Sequence, residues 1–493
     1  MIFLLLFVSL LAFLFHELYW KRRNFPPGPT PLPFLGNLLE VQANEPGYEA
    51  YRKWQKQYGS VYTYWLGTKP IVSVNDYETI KETFIKDGDK YADRFHFKEI
   101  TDMYRGGDYG VVETDGPLWR DQRRFTLHTL RDFGMGKNIM EERVMTEVDH
   151  LLERLEKQKG EIYIQKEFDI SVGSIINNIL FGYRFDEERV DEFLFVKSSI
   201  TKQMKEFANP FMFLIILFPK LRYFPYFSTV FKRLFTYRNA LFDFFEKQIE
   251  VKMKEVDLNE ENSNDFVECF LKEKERKKGT PAESFYSDLQ LQNLVFDLWV
   301  AGMETTSNTL TWGFCYILNH PNVQAKIHEE LNRVIKSERK VLSSDRNELP
   351  YVNAVICEIQ RLTNLLPQNL FHRTTEDVVI NGFTVPKGTA ILPQISCVLY
   401  DEKTFPDPYL FNPNRFLNSD GSLKKVEQLV PFSVGKRQCL GEGLARLELF
   451  LFISNVFQKF QVSSKIAPSM KKKFGTTVQA PEFFLIINNR FDA

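Results

Sequence analysis

Cysteine is scarce in this chain, and its spacing argues against several kinds of site. The five cysteines are scattered, their number is odd, and no two of them form a Cys-x-x-Cys pair. This pattern argues against a disulfide scaffold, a structural zinc site and a cysteine-held iron–sulfur cluster. It fits a reducing compartment. The positions are Cys269, Cys315, Cys357, Cys397 and Cys439.

An excess of charge of one sign is also missing. The chain has 63 Lys and Arg against 64 Asp and Glu, with no long basic block and no zinc-finger spacing. Nucleic acid is therefore not expected as a partner. Gly-x-Gly-x-x-Gly and Walker-type loops are absent and no flavin domain is recognisable, so the sequence predicts no nicotinamide site of its own.

Apolar residues, by contrast, are plentiful. The chain has 493 residues, enough for about three average domains or one large one, and 44% of them are apolar. The 46 phenylalanines are a marked excess. Aromatic side chains suit both packed cores and lipophilic pockets, so this excess is consistent with an apolar ligand as well as with ordinary core packing.

The first twenty residues are almost entirely apolar. Only Ser9, His16 and Glu17 interrupt the run, and a helix of this length spans about 30 Å, the thickness of a bilayer core. A cleaved signal peptide is the alternative, but a basic start and a small-residue cleavage site are lacking. The basic residues 21–23 follow at once, which predicts an uncleaved anchor with its amino end in the lumen.

The rest of the chain reads as mainly helical with small β-sheets. Prolines stiffen the stretch 26–33 and predict a non-helical spacer. Gly67 and the pair Asn381-Gly382 predict two hairpins. The charged stretch 256–282 predicts surface loops within one domain.

One predicted helix, from Asp288 to His320, is apolar over much of its circumference and is expected to cross the protein's centre. Ser287 and Gln290 predict a capping box at its start, and Pro321 marks its end. Midway lies "AGMETTS", residues 301–307, where a glycine and two threonines weaken the helix. Two interpretations remain open: a bent core helix with a solvated Glu304, or an acid and a hydroxyl beside a cavity that pass protons.

A second predicted helix covers residues 350–362, with Pro350 near its first position. Glu358 and Arg361 lie three residues apart and therefore share a face. Pairs at this spacing are usually solvated surface pairs.

Cys439 lies in "PFSVGKRQCLGEG", just before a predicted helix. The helix amino terminus and the neighbouring Lys436 and Arg437 favour the thiolate form. A nucleophile, a metal ligand and a small buried residue at a helix cap all remain possible uses. Gly435 and Gly441 favour a ligand, because glycine lets backbone approach a flat, bulky group such as haem.

"FSVGKRQCLG" resembles the haem-binding signature Phe-x-x-Gly-x-Arg-x-Cys-x-Gly of the cytochromes P-450. Other segments resemble the same family in the same order along essentially the whole chain. These segments are "WRDQR" at 119–123, "AGMETT" at 301–306, the Glu-x-x-Arg of 358–361 and "PNRF" at 413–416. The anchor and the proline-rich stretch look like the microsomal branch, and "NNILFGYRF" and "DFVECFL" like its animal drug-metabolising members. The resemblance implies the cytochrome P-450 fold, preceded by a single transmembrane helix.

The resemblance also implies roles for individual residues. Cys439 would be the axial thiolate ligand of haem b, which favours O–O cleavage. Thr305, with Glu304 beside it, would help to activate dioxygen and deliver protons. The remaining haem-binding residues would be Arg437, Arg123, Trp119, His372, Phe432, Gly435 and Gly441, and the structural triad would be Glu358, Arg361 and Arg415.

The function implied is a membrane-anchored monooxygenase that oxidises a lipophilic small molecule, such as a xenobiotic, a fatty acid or a steroid-like compound. Two alternatives remain: a haem-thiolate isomerase or dehydratase, and a haem-binding sensor or carrier. Electrons would come from an NADPH-dependent cytochrome reductase, with cytochrome b5 as a second candidate donor. The resemblance places the chain in the endoplasmic reticulum membrane with its catalytic domain in the cytosol.

The predicted organisation is an anchor (1–20), a basic and proline-rich linker (21–33) and a catalytic domain (34–493). Substrate specificity is expected to lie in loops around 95–113, 207–227, 365–371 and 474–478. The apolar run 207–227 is either a buried core segment or, by resemblance, a roof over the substrate pocket that also touches the bilayer.

Overall fold

The computed structural model describes residues 1–133, 138–260, 262–336, 338–473 and 475–491. Phe474, in one predicted specificity loop, lies outside the described residues. The described helices are α1 (Ile2–Leu18), α2 (Leu38–Ala43), α3 (Tyr48–Tyr58), α4 (Tyr77–Ile80), α5 (Lys98–Arg105), α6 (Gly116–Asp132), α7 (Asn138–Lys157), α8 (Ile164–Phe181), α9 (Val190–Phe207), α10 (Pro210–Leu217), α11 (Pro225–Glu255), α12 (Phe266–Arg276), α13 (Asp288–Asn319), α14 (Pro321–Ile335), α15 (Pro350–Thr363), α16 (Ile395–Leu399) and α17 (Glu442–Lys459).

Three small sheets accompany the helices in the described residues. The largest has the strand order β1-β2-β7-β4-β3, in which β2 and β7 run parallel and the other neighbours antiparallel. The other two are antiparallel pairs, β5 with β6 and β8 with β9. The strands are β1 (Val61–Leu66), β2 (Lys69–Val74), β3 (Asp93–Arg94), β4 (His372–Arg373), β5 (Val378–Ile380), β6 (Phe383–Val385), β7 (Ala390–Pro393), β8 (Phe460–Ser463) and β9 (Ile486–Asn489).

Both predicted hairpins are confirmed. Gly67 turns the chain between β1 and β2 with φ of 60°, and Asn381 and Gly382 turn it between β5 and β6 with φ of 49° and 83°. Positive φ at these positions is the reason that glycine and asparagine occur there.

Helix α13 crosses the centre of the protein, packed against α8, α11, α15 and α17. Its start is as predicted, because the Ser287 hydroxyl accepts a hydrogen bond from the Gln290 amide at 3.1 Å. The second half of the predicted capping box does not form. The Gln290 side chain instead bonds Gly110, accepting from its amide at 2.8 Å and donating to its carbonyl at 3.2 Å.

The prediction of surface loops over 256–282 was wrong in its middle, where α12 forms. Asp265 caps this helix by accepting from the Glu268 amide at 2.9 Å. Phe266 and Phe270, one turn apart, are fully buried. The charged composition of the segment hid this apolar face.

The amino-terminal helix stands apart from the core. Within the described residues, one helical stretch, Ile2–Arg22, is long and apolar enough to cross a bilayer. The proline-rich spacer that follows is non-helical, as predicted, and its Gly28 lies against β1, where a Cβ would come within 1.9 Å of the Thr63 carbonyl oxygen.

Candidate active site

The loop before α17 presents an accessible thiol. Residues Gly435–Arg437 form a single 3-10 turn, and the Cys439 amide then donates to the Phe432 carbonyl at 3.0 Å. Cys439 is exposed, whereas the other four cysteines, all of them described, are buried or half-buried. The loop therefore holds its backbone in place and leaves the sulfur open to a ligand.

Gly435 is required by the protein's own packing, which the sequence did not indicate. Its φ is +75°, and a Cβ there would come within 1.9 Å of the Phe84 carbonyl oxygen. The close approach is thus to the protein's own backbone. At Gly441 a Cβ would meet no described atom within 4 Å, which leaves room for a flat group.

The environment of the Cys439 sulfur is mixed. The sulfur is accessible but has many protein atoms around it, and this desolvation raises the pKa of the thiol, with the charge of Glu442 adding to the rise. Backbone hydrogen bonds from Gly441 and Glu442 and the charge of Arg123 oppose that rise. The two cations that the sequence suggested do not stabilise the thiolate. Lys436 pairs with Asp89 at 3.4 Å, and Arg437 donates to the Ala92 carbonyl. A bound metal ion removes the proton of a thiol that ligates it.

Arg437 is buried and hydrogen-bonded, and one of its side-chain donors has no described partner. Its Nε donates to the Ala92 carbonyl at 2.6 Å, its Nη2 to the Thr114 carbonyl at 2.7 Å, and its guanidinium stacks on Trp119 at 3.6 Å. Arg437 Nη1 and Trp119 Nε1 are both buried without a described partner. Buried donors of this kind need an acceptor.

His372 and Arg123 lie near Arg437. His372 on β4 is the residue opposite Arg94 on β3 in the strand register. Its Nδ1 donates to the Tyr91 carbonyl at 2.7 Å. Burial and the charge of Arg94 lower the pKa of His372, so it is neutral. Arg123 Nη2 donates to the Gln438 carbonyl at 2.6 Å, directly beside the thiol residue.

The three arginines form a positive cluster, on which Glu113, Asp93 and Asp115 act only from beyond salt-bridge distance. None of Arg94, Arg123 and Arg437 makes a salt bridge with a described carboxylate. Burial lowers the pKa of Arg94 to about 10 and that of Arg437 to about 8, and the charge of Arg94 adds to the effect on Arg437. An anion bound here would relieve both effects.

Helix α13 has one accessible stripe near its middle. Most of its residues are buried, yet Ala301 is exposed and Thr305, one turn on, is half-buried. The Thr305 hydroxyl donates to the Ala301 carbonyl at 2.7 Å. A small side chain and a hydroxyl are thus accessible on a helix whose other side chains are mostly buried.

Glu304 is buried, so the interpretation of a solvated Glu304 was wrong. Lys197 of α9 lies 2.7 Å from its Oε2, and Gln479 Nε2 donates to its Oε1 at 3.0 Å. Lys197 also lies 3.2 Å from Asp169 of α8. Burial would raise the pKa of Glu304, but Lys197 and Gln479 outweigh it, so the pKa lies below its ordinary value.

The structure brings Glu358, Arg361 and Arg415 together. Arg361 donates to both carboxylate oxygens, at 2.7 and 2.9 Å, and Arg415 Nε lies 3.1 Å from Oε1. The side chains of Glu358 and Arg361 are 0% exposed, so this pair is not a surface ornament. Arg415 also donates to the carbonyls of Pro406 and Leu410, which ties the loop before it to α15.

These residues fit a haem. Its iron takes an accessible thiolate such as that of Cys439. Its two propionate carboxylates suit the unpaired donors of Arg437 and Trp119 and the positive cluster around them. The open stripe at Ala301 and Thr305 leaves space for a flat ring and a small molecule.

Sequence reasoning missed three residues of this site. Arg94 completes the positive cluster, and Lys197 and Gln479 hold Glu304 from distant segments. A lone arginine between aromatic residues in "YADRF" was the only available signal for the first. No local sequence signal indicates Lys197 or Gln479, because they lie 107 and 175 residues from Glu304 along the chain.

Comparison with known proteins places this site in a family. Residues 26–487 match the family model for Cytochrome P450. The chain is 37% identical to Cytochrome P450 2C4 of Oryctolagus cuniculus over 91% of each chain. It is 39% identical to Cytochrome P450 2G1 of Rattus norvegicus over 91% of this chain and 90% of the relative, and 38% identical to Cytochrome P450 2A5 of Mus musculus over 94% and 92%. The chain therefore belongs to the cytochrome P450 family.

Proposed function

We propose roles for the individual residues of this haem-dependent monooxygenase, which oxidises lipophilic small molecules. Cys439 would hold the haem iron through its thiolate, and the loop anchored by Phe432 and Gly435 would keep its sulfur in position. The observation that carries this assignment is the accessible Cys439 thiol beside a cluster of arginines that lack carboxylate partners. Bound haem supplies the chemistry of dioxygen activation.

The positive cluster binds the haem propionates in this proposal. Arg437 and Trp119 offer the two buried donors that lack partners, and Arg123 and the neutral His372 complete the set. Arg94 contributes charge, since it lies beside both His372 and Arg437. Arginine suits this task because its planar fork matches a carboxylate.

Thr305 and Glu304 handle protons. The Thr305 hydroxyl lies on the accessible stripe of α13 and donates its hydrogen to the Ala301 carbonyl. Its oxygen can accept a hydrogen bond from a bound molecule, and rotation of the hydroxyl redirects its own hydrogen to that molecule. Lys197 keeps Glu304 ionised, so Glu304 acts as a proton acceptor. It passes protons on by exchange with solvent or with neighbouring groups. The triad of Glu358, Arg361 and Arg415 supports the fold of the surrounding loops.

The redox partner is proposed to be a membrane-bound NADPH-dependent reductase that docks near the thiol loop, with cytochrome b5 as a second donor. Lys436 is exposed in that loop and offers positive charge to an acidic partner. The amino end of α1 lies in the lumen of the endoplasmic reticulum, and the basic residues 21–23 keep the catalytic domain in the cytosol. Lipophilic substrates reach the site between the predicted specificity loops.

Oxygen consumption tests the proposal. The purified chain with NADPH alone is expected to consume no oxygen, and addition of the reductase is expected to start both NADPH and oxygen consumption. A sensor or carrier would consume none in either case, and an isomerase would turn over without NADPH. Full activity without the reductase would contradict the partner assignment.

A further inference from the structure

A segment between β8 and β9 is fastened across α13 and the end of α15. We call its described parts, residues 468–473 and 475–480, the strap. The Val478 carbonyl accepts from Asn308 Nδ2 at 3.0 Å and from Trp312 Nε1 at 2.8 Å, both on α13. The Val478 amide donates to the Leu365 carbonyl at 2.9 Å, just beyond α15.

Lys472 is the unusual residue of the strap. It is the middle one of three consecutive lysines, and Lys471 and Lys473 on either side of it are exposed. Its ammonium group instead reaches the carboxyl end of α15, where it donates to the carbonyls of Leu362 and, at 3.3 Å, of Thr363. A lysine that loses its proton keeps two N–H donors, so its neutral amine can still make both of these hydrogen bonds.

An aromatic cage surrounds the same ammonium group. It lies 2.9 Å from the Tyr400 hydroxyl and 3.5 Å from that of Tyr48. The rings of Tyr48, Tyr400 and Trp312 lie 5.6–5.8 Å from it. No salt bridge joins it to a carboxylate among the described residues.

The charged and titratable groups that face Lys472 come from three helices. Burial is the main cause that lowers its pKa, to about 7, and Arg361 of α15 lowers it further. Glu49 of α3 and Cys315 of α13 act in the opposite direction but more weakly. The strap thus places one titrating lysine against the end of α15.

The other end of the strap touches the proposed proton-handling site. Gln479 Nε2 donates to Glu304 Oε1 at 3.0 Å and lies 2.6 Å from the Thr477 hydroxyl. Lys197 holds the second oxygen, Oε2, at 2.7 Å. The strap therefore supplies one of the two side chains that fix the orientation of the Glu304 carboxylate.

We propose that Lys472 fastens the strap to α15, and that the fastened strap positions Gln479 against Glu304. Lys472 and Gln479 are then positioning residues for the monooxygenase reaction. The inference rests on the proposed role of Glu304. When the strap loosens, Glu304 loses a hydrogen bond and its orientation, so protons are delivered less accurately. Two electrons from NADPH and two protons then reduce dioxygen to hydrogen peroxide, and no oxygen atom is inserted into the substrate.

The direction of the pH effect follows from linkage. A lysine in water has a pKa of about 10.4, so the released strap carries a proton that the docked strap gives up as the pH rises above 7. Docking therefore strengthens from neutral toward alkaline pH, and acidification loosens the strap.

The experiment compares K472M with K473M, a matched change at an exposed neighbour, in the full chain with reductase. The readout is hydrogen peroxide formed per NADPH consumed at pH 6.5 and 8.5, a ratio that does not depend on how much protein is active. Loss of about one hydrogen bond corresponds to a roughly two- to tenfold change, so K472M is expected to raise the ratio by that factor at pH 8.5. The wild type is expected to approach the K472M value at pH 6.5, and K473M to match the wild type at both.

A second variant keeps the test decisive if K472M does not fold. Q479M changes an exposed side chain and is expected to raise the ratio as K472M does, with less dependence on pH. Ratios of K472M and Q479M equal to that of K473M would overturn the proposal. A missing thiolate-type carbon monoxide band in the wild type would refute the proposed function, whereas a normal band with unchanged ratios would refute the strap alone.

Discussion

At the scale of single residues, Lys197 determines what Glu304 can do. It is a nearly buried cation between two carboxylates, Glu304 and Asp169. Glu304 alone in this position would be pushed toward its neutral form by burial, and Lys197 reverses the sign of the effect. The acid beside Thr305 is therefore a charged group at neutral pH, held by a lysine of α9, 107 residues earlier in the chain.

Removal of this cation is the first prediction. K197M is expected to lower the free energy of unfolding by about 3–5 kcal/mol, because a buried charge loses its partner. It is also expected to raise the pKa of Glu304, which moves the acidic limb of the pH profile of turnover upward. K205M, at an exposed lysine of the same helix, serves as the control. An unchanged pH profile in a folded K197M protein would contradict the role assigned to Lys197.

Local motifs predicted the residues of this site that lie in a characteristic sequence context. Cys439, Arg437, Trp119 and Arg123 are all in that class, and the structure brings them together. Arg94 and Lys197 could not be found in this way, because an isolated basic residue looks the same in sequence on a surface and in a core. Only the fold decides between the two.

At the scale of elements, α15 depends on one carboxylate. Glu358 accepts hydrogen bonds from Arg361, Arg415 and the Asn412 amide, and so joins α15 to the loop 406–415. The Arg361 side chain is 0% exposed. Glu358 balances the charge of Arg361 at short range.

The second prediction concerns that balance. E358Q leaves the buried Arg361 without its counter-charge, at an expected cost of about 3–5 kcal/mol. The protein is expected to lose its bound haem and much of its folded fraction on expression. E275Q breaks an exposed pair of the same spacing, with Lys278 at 2.6 Å, and is expected to change stability by less than about 0.5 kcal/mol. Equal behaviour of the two variants would show that the triad has no structural role.

Helix α17 carries a buried acid that gives a pH prediction. Glu448 is 2% exposed, and burial raises its pKa to about 8, with Thr306 of α13 acting weakly against this. The folded protein keeps a proton there that the unfolded chain releases above about pH 4.3. The stability that this proton confers is complete below that pH and is lost as the pH rises toward 8.

E448Q tests this linkage. The free energy of unfolding of the wild type is expected to fall relative to that of E448Q as the pH rises from 5.5 to 7.5, by up to about 1.4 kcal/mol per pH unit. Denaturant unfolding at each pH measures this difference. A constant difference between the two proteins across this range would show that Glu448 is ionised in the folded state.

Turn residues made some elements predictable from the sequence, whereas a high density of charged residues hid others. The β5–β6 hairpin follows from Asn381-Gly382, which the structure confirms with positive φ at both residues. The segment containing α12 has many charges, and its apolar face became visible only where α8 and α11 pack on it. The β8–β9 pair was not predictable, since 22 residues separate its strands, too many for a tight hairpin turn to join them.

At the scale of the whole molecule, aromatic contacts connect the anchor to the apolar segment after α10. Phe13 of α1 stacks on Phe34 at 5.5 Å, and Phe34 meets Phe218 at 6.4 Å, which links the anchor to the segment after α10. Nearby in sequence, Tyr223 and Tyr226 are 73% and 61% exposed. Exposed aromatic residues at this density suit a bilayer interface.

The membrane prediction follows from this arrangement. A chain that lacks residues 1–23 is expected to bind liposomes in part, through the stretch 207–227. Replacement of Phe224 and Tyr226 by serine in that shortened chain is expected to remove most of the remaining binding, as measured by co-sedimentation. Complete loss of binding on removal of 1–23 alone would contradict a second membrane contact.

The central claim, a haem held by the Cys439 thiolate, is tested most directly by the carbon monoxide difference spectrum of the dithionite-reduced protein. The wild type and C269S, a change at a half-buried cysteine, are predicted to show a strongly red-shifted Soret band, and C439S is predicted to lack it. A histidine-type spectrum in all three proteins, or no haem in any of them, would contradict the account.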